Sequence, residues 1–224
     1  FRLNDAGVYQ EFYGAEHPAP EWLTKAVYGL PEVRRDAIAD ATLIASPGCY
    51  PTSILLPLIP LLEAGLIDPR QIIADSLSGV SGAGRNASLP FLYVECNESL
   101  RPYGVPKHRH LSEIEQELGL ANDSPVTVQF TPHLVPVNRG ILTTLYLAPA
   151  LGQADDFDQW TTAVADCLAK RYADEPFVRI TGSERLPDTK NVTGTNSIEI
   201  GWAADPRTQR LRVFSAEDNL VKGA

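Results

Sequence analysis

Residues 41–65 read ATLIASPGCYPTSILLPLIPLLEAG. The apolar run at 41–45 has the length of a strand, Ser46-Pro47-Gly48 is a turn, and a helix is expected over 51–64 with Gly65 closing it. Pro51 suits a first helical turn, where its missing N–H costs nothing. Pro57 and Pro60 fall in the interior, so a kink or a break is expected there. Outward from this unit, β-forming stretches lie at 71–77, 92–100, 126–130, 141–147, 177–180, 197–203 and 211–215. The last two flank Asp205-Pro206-Arg207 and read as a hairpin. A short amphipathic helix is expected over 110–118, with Ser112 as a cap and Glu113, Glu115 and Glu117 facing solvent. A longer helix over 155–172 carries Phe157, Trp160, Val164, Cys167, Leu168 and Tyr172 at helical spacing. From residue 49 onward, strands and helices do not alternate strictly. That pattern implies an α+β domain with helices stacked on a mixed sheet.

The 224 residues are enough for one large domain or one and a half, at roughly 150 residues per domain. Lys and Arg number 19 against 28 Asp and Glu, a net charge of −9, which argues against nucleic acid as a partner. A hydrophobic share of 44% with 21% charged residues excludes global disorder. No apolar run reaches the ~18 residues that would span a membrane; the longest, 54–62, contains both interior prolines. Cys49, Cys96 and Cys167 are an odd number without paired spacing. Neither a disulfide framework nor a structural zinc site is expected, and a reducing cytoplasm is the default location. The chain opens on Phe1-Arg2-Leu3 without a methionine. It closes soon after Asp218-Asn219, either of which suits the start of a helix that does not follow. It therefore reads as a fragment of a longer protein.

Cys49 is the first candidate for chemistry. It follows Gly48 at the start of the expected helix, where unpaired N–H groups and about half a positive charge favour a thiolate and an oxyanion. A thiol pKa lowered from its free value is the expectation; a buried apolar filler is the competing reading. Cys96 in a strand and Cys167 on an apolar helix face read as packing. Among the histidines, His17 reads as surface and His133 as structural. His108 and His110 flank Arg109 in a cationic cluster, and either imidazole is suited to take the thiol proton and return it. As metal ligands the two lack a third donor. The glycine-rich segment from Ser78 to Arg85 could cradle an anion on its backbone N–H groups, although it is neither a dinucleotide fingerprint nor a Walker loop. Arg85 and Arg139 are candidates for a bidentate grip on carboxylate or phosphate.

Several blocks, in order, resemble one known family. They are Tyr28-Gly29-Leu30-Pro31-Glu32, Ala45-Ser46-Pro47-Gly48-Cys49-Tyr50-Pro51-Thr52, Ser78 to Arg85, His108-Arg109-His110, Phe130-Thr131-Pro132-His133, Asn138-Arg139-Gly140-Ile141-Leu142 and Glu217 to Ala224. The family is the N-acetyl-gamma-glutamyl-phosphate reductases of arginine biosynthesis, and the resemblance covers essentially the whole chain. It implies a catalytic domain like that of glyceraldehyde-3-phosphate dehydrogenase over 48–224, serving substrate binding and dimerisation. Residues 1–47 would be the tail of a nucleotide-binding Rossmann domain. It further implies Cys49 as nucleophile and His108 as acid and base. Arg85, Arg139 and Tyr50 would stand at the substrate, and Ser81, Gly82, Ala83, Gly84 and Asn219 at NADP(H). The reaction implied is reduction of an acyl phosphate to a semialdehyde through a thioester, in a cytoplasmic homo-oligomer, a dimer or tetramer. The family's opening strand, glycine-rich turn and helix are missing, so little hydride transfer is expected of this chain alone. Competing readings are a reductase of a longer or carrier-bound acyl phosphate, as in lysine biosynthesis, a cofactor-free Cys/His acyltransferase or hydrolase, and a non-catalytic folding module.

Overall fold

The computed structural model describes residues 1–85, 88–153 and 156–224. The N-terminal part holds helix α1 (Ala6–Tyr13), strand β1 (Val27–Tyr28), helix α2 (Pro31–Ala39) and strand β2 (Ile44–Ala45). The two strands pair in parallel, Val27 opposite Ile44. Helix α3 (Cys49–Glu63) follows the turn at Ser46-Pro47-Gly48 directly. After it come β3 (Ile72–Gly79), the single helical turn α4 (Tyr93–Cys96), β4 (Arg101–Pro102), α5 (Arg109–Ala121), β5 (Val128–Val135) and β6 (Ile141–Leu147). The chain ends through α6 (Phe157–Arg171), β7 (Val178–Gly182), β8 (Ile198–Asp205) and β9 (Arg210–Glu217). Residue 155, the expected start of α6, lies outside the described residues.

Seven strands form one sheet in the order β4-β5-β3-β6-β9-β8-β7. The pairs β3–β5 and β7–β8 are parallel and the others antiparallel. The expected hairpin closes at Asp205 opposite Arg210. Along β3, β5, β6 and β9, alternate residues are buried against α3, α5 and α6. The domain is therefore α+β, with its helices on one face of a mixed sheet. The opposite face carries half-buried or exposed apolar side chains, including Leu77, Leu142, Tyr146 and Phe214.

Helix α3 runs through the middle of the helical layer. Tyr50 to Leu62 are all buried, as expected of a helix that is apolar all round. Pro57 and Pro60 do not break it. A proline removes the N–H that would bond the carbonyl four residues back, which here frees Ser53 O and Leu56 O. Ser215 Oγ of β9 donates to Ser53 O at 2.7 Å, and the Tyr172 hydroxyl after α6 donates to Leu56 O. The helix continues because its neighbours supply the two missing donors. Ser53 Oγ also meets Thr143 Oγ1 at 2.8 Å, which meets Ser76 Oγ at 2.7 Å, so a buried hydroxyl chain ties α3 to β6 and β3.

Four expectations are corrected. Residues 92–100 do not form a strand: Pro90 precedes them, Glu98 has φ +56°, and Leu92, Tyr93, Val94 and Leu100 are exposed instead of alternating into a core. Cys96 therefore sits in α4, with its thiol donating to Pro90 O at 3.2 Å. Glu113 and Glu117 are buried, because residues 1–45 cover the face of α5 that was read as solvated. The Tyr28 hydroxyl donates to Glu113 at 2.7 Å and Arg34 Nη2 to Glu117 at 2.8 Å. His108, not Ser112, caps α5, accepting His110 N–H on Nδ1 at 3.1 Å. His17 is buried, with its ring edge-on to Phe1 and Tyr9.

Candidate active site

Cys49 is the first residue of α3, half-buried at the wall of a cavity of about 230 Å³. The cavity draws on Tyr50 beside it, Ser78 and Gly79 at the end of β3, Gly82 and Ala83 beyond, and Tyr103, His108, Arg109 and His110 before and within α5. The parallel β3–β5 pair and its α5 crossover bring these segments together from more than 50 residues apart in sequence. Gly48 is required by the close approach: a Cβ there would stand 2.6 Å from His110 Nε2. Its N–H donates to Glu113 Oε1 at 2.8 Å, so the carboxylate that holds Tyr28 also fixes the residue before Cys49. Nothing in the sequence separated Glu113 from the other glutamates of α5; only the packing of β1 against that helix reveals it.

The electrostatics reverse one expectation. Burial pushes the Cys49 thiol up to about 12, with the Glu217 carboxylate adding to the rise. The backbone N–H groups of Tyr50 and Cys49 act in the opposite direction, as a helix start should, and are outweighed. Burial, helped by the Arg109 charge, lowers His108 to about 4, and burial together with the His108 and Arg109 charges lowers His110 well below the usual imidazole range. These shifts favour a neutral thiol and two neutral imidazoles over a thiolate–imidazolium pair. Because His108 Nδ1 accepts the His110 N–H, neutral His108 carries its proton on Nε2. In that form it is a donor, suited to an oxyanion or a leaving group. The Tyr50 and Tyr103 hydroxyls meet at 2.7 Å, and the Tyr50 ring lies edge-on to His108 with centroids 5.5 Å apart.

Of the residues singled out in the sequence, Cys49, Tyr50, His108, Gly82 and Ala83 meet in the cavity. Arg85 is exposed and Arg139 points elsewhere, its Nη1 donating to Asp218 Oδ2 at 3.1 Å. Neither lines the cavity. The glycine-rich loop is not a free anion cradle. The N–H groups of Gly79, Val80 and Ser81 are spent on the carbonyls of Gly140, Val137 and Asn138, and that of Gly84 on Ser81 O. Gly79 permits this approach, since a Cβ would lie 2.5 Å from Asn138 O. Asn219 clamps the same two loops: its Oδ1 accepts Gly140 N–H at 2.7 Å and its Nδ2 donates to Ser81 Oγ at 3.0 Å. Its amide is occupied, whereas Gly82 and Ala83 present a wall with almost no side chain at the cavity. Tyr103 and Arg109 are the additions from the tertiary structure. The first stands in an irregular segment with no periodic signal; the second was visible only as part of a cationic cluster.

A helix-mounted cysteine facing two imidazoles, on a mixed sheet with one helical layer, defines the class. Residues 49–219 match the family described as semialdehyde dehydrogenase, dimerisation domain, and the chain belongs to that family. Among solved structures, aspartate semialdehyde dehydrogenase II from Vibrio cholerae superposes with a TM-score of 0.66 at 18% identity, over 90% of this chain and 65% of that one. The Candida albicans aspartate semialdehyde dehydrogenase with NADP gives 0.58 at 14% identity, over 87% and 62%. These establish the fold. The particular likeness is narrower: the chain is 56% identical over 224 residues to N-acetyl-gamma-glutamyl-phosphate reductase of Akkermansia muciniphila. It is 53% identical over 224 residues to the protein of that name from Rhodospirillum rubrum. All of this chain is covered, and it spans 63% and 62% of those relatives.

Proposed function

We propose that the chain is the cysteine-bearing part of an N-acetyl-gamma-glutamyl-phosphate reductase, an oxidoreductase of arginine biosynthesis acting on a small acyl phosphate. The observation that carries the reading is the meeting of Cys49, His108 and His110 in one cavity, in a chain so similar to reductases of that name. The Cys49 sulfur attacks the acyl carbon and gives up its proton to an imidazole. The C–O bond to phosphate breaks, and a thioester forms on Cys49. When bound, NADPH would supply the hydride that reduces the thioester carbonyl; Cys49 then releases the semialdehyde as the C–S bond breaks and the thiolate returns. His108, holding its proton on Nε2, donates to the oxygen that gains charge in each half-reaction. Gly82 and Ala83 would hold the cofactor's nicotinamide end, while Ser81, Gly84 and Asn219 keep that loop in place.

In this reading residues 1–47 are the tail of the nucleotide-binding domain and 48–224 the catalytic and dimerising domain. The apolar open face of the sheet, around Leu77, Leu142 and Phe214, meets a second copy, in keeping with the family's description. No helix among the described residues is long and apolar enough to cross a membrane; free thiols suit a cytoplasmic enzyme. The test is oxidation of NADPH driven by N-acetyl-gamma-glutamyl phosphate, on this chain joined to the further segments its relatives carry. Cys49→Ser should abolish it, and His108→Asn should lower kcat by about 10²–10⁴. A larger loss from His110→Asn would exchange the roles of the two imidazoles, and turnover of activated esters without a nicotinamide would replace the reductase by an acyltransferase.

A further inference from the structure

We propose that Arg109 is the anion-binding residue of the Cys49 cavity, gripping an oxyanionic group of the ligand that Cys49 attacks. The inference deepens the acyl-phosphate reading and rests on it. Such a ligand brings at least one carboxylate or phosphate into the cavity, and a partly desolvated anion needs a partner there. Among the described residues, Arg109 is the one lysine or arginine lining the cavity, and no aspartate or glutamate lines it. Arg85 and Arg139, the arginines first suggested by the sequence, stand outside.

Arg109 is also uncommitted. Seven other arginines (Arg2, Arg34, Arg35, Arg70, Arg139, Arg185 and Arg207) each pair with a carboxylate within 4.0 Å. Among the described residues, no such pair and no hydrogen bond involves the Arg109 guanidinium. It is exposed, and as the first residue of α5 its backbone is held between the capping His108 and the buried His110. A fixed base under an unpaired guanidinium fork is the arrangement that suits bidentate recognition of a carboxylate or phosphate. Besides Cys49 and the two histidines, the other polar side chains lining the cavity are hydroxyls, those of Tyr50, Tyr103 and Ser78, which can share an oxyanion without opposing its charge.

The test uses two alkylating reagents of nearly equal size, anionic iodoacetate and neutral iodoacetamide, on the intact chain. The labelling rate of Cys49 is read by mass spectrometry, with Cys96 and Cys167 as internal references. Arg109→Gln is expected to lower the iodoacetate-to-iodoacetamide ratio at Cys49 by about ten-fold, the scale of a lost charge-assisted contact, and to leave the ratio at the other thiols unchanged. Arg109→Lys should keep the charge preference in part. Protection of Cys49 from iodoacetamide then identifies the source of the anion. Loss of protection by inorganic phosphate in Arg109→Gln assigns the grip to the phosphate, and loss of protection by N-acetylglutamate assigns it to a carboxylate. An unchanged ratio together with undiminished protection by both overturns the proposal. Because Arg109 is exposed, equal thermal stability of the variant is expected and separates this readout from misfolding. Failure of acyl-phosphate-dependent NADPH oxidation would end the reductase reading without altering the reagent ratio, so the two ideas fail separately.

Discussion

Ser215→Ala removes the hydroxyl that donates to Ser53 O at 2.7 Å, the carbonyl left without its helical partner by Pro57. Both Ser215 and Ser53 are fully buried, so water cannot replace the lost donor. Leaving a buried acceptor unpaired costs about 1–3 kcal/mol. For a chain of this size, each kcal/mol moves Tm by roughly 2–4 °C, so a fall of about 2–12 °C is expected. The decisive comparison is a double-mutant cycle with Pro57→Ala. Alanine restores an N–H at 57, which can bond Ser53 O within the helix. In that background Ser215→Ala should cost about 1–2 kcal/mol less than in the parent chain, a coupling of ordinary size for groups that share a partner. Urea unfolding at constant m-value gives the four stabilities. If Ser215→Ala costs the same in both backgrounds, the serine is not replacing the proline's missing donor, and the account of how α3 survives two interior prolines is wrong.

Glu113→Ala should cost about 2–4 kcal/mol and disturb Cys49 labelling, because it strands both the Tyr28 hydroxyl and the Gly48 N–H; Glu113→Gln, which keeps an acceptor, should lose far less. Glu217 is fully buried, and neither carboxylate oxygen has a partner among the described residues. Burial holds its pKa well above the usual carboxylate value, against the opposing charge of Lys222. The folded state therefore keeps a proton that the unfolded chain loses, so this stabilisation is complete at acid pH and declines as pH rises through the unfolded value toward the folded one. Glu217→Gln should flatten the decline in Tm as pH rises above the usual carboxylate range, and parallel curves for parent and variant would contradict the assignment. Asn219→Ala should cost about 1–3 kcal/mol and lower hydrogen-exchange protection at Gly140 N–H; normal stability with a raised KM for NADPH would make Asn219 a cofactor ligand instead of a clamp. Titrated with NADPH by fluorescence, the chain alone should bind far more weakly than the complete reductase and show little or no turnover.

The local pattern around residues 41–65 was enough to place a strand, a turn and a helix, and to put Cys49 at the helix start. The alternation along 141–147 and the turn at Asp205-Pro206-Arg207 likewise fixed β6 and the β8–β9 hairpin to within a few residues. These features are legible because they depend on neighbours in sequence: side-chain period, proline geometry and turn chemistry. What depends on distant neighbours was not legible. Pro57 and Pro60 signalled a break, but Ser215 and Tyr172 remove its cause from 158 and 112 residues away. Glu113 looked like one of three solvated glutamates until residues 1–45 covered it and Gly48 bonded to it. A helix start promised an acidic thiol at Cys49; burial, which no sequence window measures, outweighs it. Arg139, expected in the site, bonds Asp218 instead, Arg85 is exposed outside the cavity lining, and Arg109 lines it because α5 begins at the cavity wall. Residue type and local pattern are enough to nominate the side chains for chemistry and the elements that bear them. Which of them meet depends on long-range packing, and desolvation in that shared cavity shifts their titration.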